Sequence, residues 1–180
     1  MLSRILLALA FTAVVPPAVA AESPYTTLEQ REIKALSADE ITALRTGQGF
    51  SQALSAELNG FPGPRHVIEL ADRLGLDPAQ RSAVETLFAS MQAEAVAAGE
   101  AVLDAEADFE RAFRADTITE SEVAAATEEI GRLRGILRGI HLRYHLRTKT
   151  LLTPHQVALY NAARGYSAGG HGAHGSHTAQ

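Results

Sequence analysis

His141 and His145 stand one helical turn apart in the run Ile140-His141-Leu142-Arg143-Tyr144-His145, so on a helix both imidazoles leave the same face. Two imidazoles at that spacing chelate one metal ion; the alternative is a pair of ordinary histidines flanking a helix core. His171, His174 and His177 recur every third residue among glycine, alanine and serine. Such a stretch wraps an ion with little preorganisation and holds it weakly and exchangeably. The chain has no cysteine. Imidazole, carboxylate, thioether and backbone oxygen are therefore the ligands left for a metal. His155 falls inside a helix start and reads as a surface residue. No serine, aspartate or glutamate sits in a nucleophile elbow, phosphate loop or zinc-protease motif. The expectation is a protein that is not an enzyme and takes no organic cofactor.

The helix carrying the pair is one of two. Leu76-Asp77-Pro78-Ala79-Gln80 returns as Leu152-Thr153-Pro154-His155-Gln156. In each copy Asp or Thr is an N-cap and proline takes the first helical position. From Pro78 to Ala115, Val84, Met91, Ala98, Ala105 and Ala112 recur every seventh residue, interleaved with Phe88, Ala95, Val102 and Phe109. This is a coiled-coil-like seam. Asp116–Thr119 is a turn, and Thr119-Glu120-Ser121-Glu122 is a capping box. The return helix repeats the rule with Val123, Ile130, Leu137, Tyr144 and Leu151, beside Ala126, Leu133, Ile140 and Arg147. Two seams joined by a short turn predict an antiparallel helical hairpin in an all-α protein.

With the turn centred on residue 117, His141 faces position 93 and Glu94 is the nearest carboxylate across the pair. His66, on a helix expected from Arg65 to Leu74 and ended by Gly75, folds back towards His145. His66, Glu94, His141 and His145 would form a three-nitrogen, one-oxygen site suited to zinc, copper, nickel or cobalt. Arg132, Arg134, Arg138, Arg143, Arg147 and Lys149 crowd the return helix and oppose a cation unless Glu94 offsets them. Cross-hairpin ion pairing with the acids of the outgoing helix is the plainer account of that face.

Met1–Ala20 reads as a secretory signal, with Arg4 as the n-region, Ile5–Val15 as the apolar run and Ala18-Val19-Ala20 as the cleavage site. Its apolar run is short for a membrane span, and no integral membrane segment is expected after cleavage. The formal net charge of −5 becomes −6 without Arg4, which argues against nucleic-acid binding. Residues 21–64 read as a leader, with a weak helix over Leu28–Leu36 and a capped one starting at Ser37-Ala38-Asp39-Glu40. Gly47-Gln48-Gly49 stops the second, and a turn-rich connection spans Phe50–Pro64. Residues 65–164 form the hairpin domain, closed by a helix from about Pro154 to Arg164. The stretch 165–180 is expected to be a disordered His-rich tail. One hairpin cannot bury both flanks of its seam, so a homodimer is expected.

The two Leu-x-Pro-x-Gln phrases, set before and after a long hairpin in an exported, cysteine-free chain, resemble the Spy/CpxP family. That family is marked by LTxxQ motifs and includes the periplasmic metal-responsive ZraP and CnrX-type proteins. Leu152-Thr153-Pro154-His155-Gln156 fits the motif in full; Leu76-Asp77-Pro78-Ala79-Gln80 has Asp for Thr. The resemblance covers roughly Arg65 to Tyr160. It implies a curved antiparallel dimer in the periplasm, active in envelope stress by holding unfolded proteins or by sensing and sequestering metal ions. CnrX-type sensors build their site from histidines on the first helix, a glutamate and a histidine on the last, with a methionine where this chain has His145. Three functions follow as expectations: a sensor or buffer of transition metals in heavy-metal stress, a metal-independent holdase of unfolded periplasmic proteins, or an adaptor for a membrane-bound regulator.

Overall fold

A computed structural model describes residues 23–166; the expected signal segment and the stretch carrying His171, His174 and His177 lie outside the described residues. Contacts divide the chain after Gln30. In the first unit the described structure is a short 3-10 turn, Thr26–Leu28, where Ser23 accepts from the Tyr25 amide. The second unit holds α1 (Ala38–Thr46), α2 (Leu54–Glu57), α3 (Pro64–Glu69), α4 (Ala71–Leu74), α5 (Pro78–Arg114), α6 (Glu120–Thr150) and α7 (Pro154–Arg164). Every regular element among the described residues is helical. The molecule is all-α.

Four of these helices begin on capping boxes. Ser37, Asp77, Thr119 and Thr153 each accept from the amide three residues on, and Glu40, Gln80, Glu122 and Gln156 reach back to the cap amide. Each cap is worth about 1 kcal/mol. Gly47, Gly75 and Gly165 close α1, α4 and α7 in the left-handed conformation. The repeated phrase has a second use. The Gln80 and Gln156 amides bond each other reciprocally at 3.0 Å, and Gln80 also donates to the Leu151 carbonyl at 2.8 Å. The starts of α5 and α7 are thereby locked to the end of α6.

At 37 residues, α5 is about 55 Å long. Its partners on α6 run in the opposite order: Glu106 meets Arg134, Glu94 meets Arg143 and Tyr144, and Gln80 meets Leu151. Met91, Ala95 and Val102 cluster with Leu137, Ile140 and Tyr144, as the seven-residue rows require, whereas Val84 joins Val67, Leu74, Leu152 and Tyr160 in a second cluster. Nearer the turn, Ala105, Phe109 and Ala112 are half-buried.

The stretch with short helices before α3 contributes side chains to this core. Ile33, Leu36 and Leu44 join Met91, Ala95, Val102, Leu103, Leu137, Ile140 and Tyr144 in one cluster. The approach of α1 depends on Gly99, where a Cβ would stand 2.2 Å from the Leu44 carbonyl oxygen. The helix expected over Leu28–Leu36 is a run of turns, with Ile33 and Leu36 turned inward and Arg31 bonded to the Leu36 carbonyl at 3.1 Å. Nine residues with weak periodicity do not repay helix nucleation, and burying two side chains wins. The helix expected over Arg65–Leu74 breaks at Leu70 into α3 and α4. No described helix is long and apolar enough to cross a membrane.

Candidate functional site

The connection between α1 and α3 lies directly over the histidine pair. Gly49 approaches one ring, since a Cβ there would stand 3.3 Å from His141 Nδ1. Gly63 approaches the other, with a Cβ position 2.9 Å from His145 Cε1. Between these glycines the chain forms α2, a four-residue helix that the spacing of apolar residues did not disclose. Both histidines are consequently buried, His141 to 2% exposure, rather than flanking the core as expected.

The ring nitrogens are in different circumstances. His145 Nδ1 lies 2.7 Å from the Phe61 carbonyl oxygen. A carbonyl only accepts, so Nδ1 is the donor of this bond, and in the neutral ring Nε2 is then the nitrogen with the free lone pair. His141 Nε2 is buried without a hydrogen-bond partner. Burial, helped by the neighbouring His145, lowers the His141 pKa below the ordinary imidazole value. Its neutral form is favoured, which is the form that ligates metals.

The carboxylate beside the pair is Glu57, on α2. It is 7% exposed, and its Oε2 lies 3.7 Å from His145 Nδ1 with no hydrogen-bond partner. Oε1 accepts from the Tyr160 hydroxyl at 2.5 Å and the Tyr166 hydroxyl at 3.2 Å, with Arg164 Nε at 3.5 Å. Burial and the Glu57 bond push the Tyr160 pKa far above the ordinary phenol range, so its hydroxyl stays a donor. One half of this carboxylate is anchored from three sides and the other half is open.

Glu94 is engaged elsewhere. It accepts from the Tyr144 hydroxyl at 2.7 Å and pairs with Arg143 at 2.8 Å. The two helices are offset by a few residues from the register drawn by centring the turn on residue 117, which puts Tyr144 rather than His141 opposite Glu94. His66 Nδ1 bonds Glu69 at 2.8 Å, and the ring lines the same cleft as His141 and His145. His155 is exposed. The cleft encloses about 280 Å³ and is bounded also by Phe50, Leu54 and Tyr166. Among the described residues, no three His, Asp or Glu side chains are gathered closely enough to hold a metal ion.

Glu57 escaped the sequence reading because it belongs to no repeat and sits 84 to 88 residues before the histidines it joins. Its one signal was the pair of glycine clusters bracketing it, at Gly47-Gln48-Gly49 and Gly60-Phe61-Pro62-Gly63. Backbone that must approach a ring closely calls for glycine. Comparison with family models, with curated proteins and with solved structures returned no match.

Proposed function

We propose that this protein is an exported, periplasmic, Spy/CpxP-like helical protein that binds a transition-metal ion through His141 and His145, as a sensor or buffer in heavy-metal stress. The observation that carries this reading is the state of the buried pair. Two imidazoles one turn apart line one cleft; His145 has its Nδ1 proton committed to a backbone carbonyl, and His141 Nε2 has no partner. A ring fixed through one nitrogen and open at the other is how protein metal ligands are held. Glu57, rather than Glu94, supplies the negative charge in the same cleft, through a carboxylate oxygen without a hydrogen-bond partner. Zinc, copper, nickel and cobalt all suit imidazole with carboxylate.

Zinc titration by calorimetry tests it. His141→Ala/His145→Ala is expected to lower affinity at least about tenfold, the scale of losing one ligand's support. Glu57→Gln should weaken binding too, and Glu94→Gln should leave it alone. Equal affinity in wild type and the double histidine variant would remove the pair from the site.

A second reading, a metal-independent holdase, is favoured by another observation. Phe50, Leu54 and Leu58 are 68%, 50% and 58% exposed and follow one another at four-residue spacing. Neighbouring large apolar side chains in water mark interaction surfaces. Metal-free protein is expected to suppress client aggregation on this reading, and Leu54→Asp/Leu58→Asp should abolish the effect. An adaptor role and a pairing of two copies across the half-buried ends of α5 and α6 remain proposals of the same kind.

A further inference from the structure

We propose that the ion taken up by His141 and His145 is copper(I), with the thioether of Met91 as its third ligand. This rests on the metal reading above and names the ion that the site selects. The chain has no cysteine and two methionines, Met1 and Met91. Apart from Met1, its one sulfur atom is therefore that of Met91, and Met91 lines the same cleft as both histidines. On a seam otherwise built of alanine, valine and aromatic residues, packing asks for nothing here that leucine lacks.

The register of the two long helices brings the sulfur to the pair. Met91 stands on α5 about one turn before Glu94, and Glu94 accepts from Tyr144 on the antiparallel α6. One turn back along α5 is one turn forward along α6, so Met91 lies level with the turn of α6 that opens at His145. Met91 is 6% exposed and shares a cluster with Ile140 and Tyr144, the residues that directly precede the two histidines. His141 Nε2, in the same cleft, is buried without a hydrogen-bond partner. Buried polar atoms are ordinarily satisfied, and an ion satisfies a lone pair.

The ligand set decides the ion. Zinc ordinarily takes four ligands, and the sulfur among them is a thiolate. Among the described residues no third His, Asp or Glu is gathered with the pair. A thioether is soft and uncharged, and soft sulfur selects copper(I). Burial points the same way. The two histidines are 2% and 8% exposed, so an ion between them sheds most of its water, at a cost that climbs steeply with its charge. Glu57 is the one carboxylate among the residues lining the cleft, and Arg164 lies 3.5 Å from its Oε1. The cleft thus has little negative charge to offer a divalent ion, and a singly charged one needs less.

Full-length protein is titrated without oxygen with copper(I), in competition with the chelator bicinchoninate, and separately with zinc chloride. Met91→Leu keeps the volume of the seam position. It should weaken copper(I) binding at least about tenfold and leave zinc binding unchanged. X-ray absorption at the copper edge should show a sulfur neighbour in the wild-type complex and none in Met91→Leu. Copper held by nitrogen and oxygen alone, or copper(I) affinity indifferent to Met91→Leu, would overturn the proposal; the metal reading would stand if His141→Ala/His145→Ala still weakened zinc. Uptake of both ions indifferent to the two histidines would remove that reading and this proposal with it. A wild-type spectrum without sulfur decides against Met91 even if Met91→Leu failed to fold, and Met91→Ile would then take its place in the titration.

Discussion

His141 is a titratable group kept almost wholly out of water, and the cost of charging it there sets a pH dependence. Its pKa is lowered in the folded chain by burial and by His145. Unfolded, the ring titrates near the ordinary value of about 6.5. Below that pH the unfolded chain binds a proton that the folded chain refuses, so stability declines as pH falls and is fully present above about 6.5. The urea midpoint of metal-free protein is expected to drop between about pH 7.5 and pH 5.5, and the drop should shrink in His141→Gln. A midpoint equally sensitive to pH in that variant would assign the effect to other groups. Glu57 raises the complementary point, since its open oxygen faces a ring that carries its proton towards Phe61 instead.

At the scale of elements, glycine separates what holds the fold from what merely lies on it. Gly99 admits the Leu44 carbonyl to the surface of α5, whereas Gly131, Gly135 and Gly139 on α6 have nothing within 4 Å of where a Cβ would stand. Gly99→Ala is expected to cost about 1–3 kcal/mol or more, because backbone must move. Gly135→Ala should raise the Tm, with a gain of about 1 kcal/mol from helix propensity alone. Thermal unfolding of the two variants checks both signs; a loss at Gly135 would place a second chain on that face. The same contrast explains what could be read in advance. Caps, stops and seams are local rules, legible in Ser37-Ala38-Asp39-Glu40, in Gly75 and in the rows through Val84 and Ile130. The cover over the histidines is not local. It needs α1 on Gly99, a four-residue helix without periodicity, and a register between α5 and α6 that shifts Glu94 by about one turn. The histidine pair was therefore found from spacing, and its carboxylate was not.

At the scale of the whole molecule, three phenol hydroxyls end on carboxylates. Tyr144 donates to Glu94, and Tyr160 and Tyr166 both donate to Glu57. The chain has four tyrosines and no tryptophan. A carboxylate hydrogen-bonded to a phenol drains its excited state, so the native protein should glow dimly in the ultraviolet and brighten as it unfolds. Tyr160→Phe would then take away little light from the native state but a full tyrosine's share from the denatured one. An ion that draws Glu57 away from its two phenols would relieve their quenching without any unfolding, giving this colourless protein an optical signal of its own occupancy.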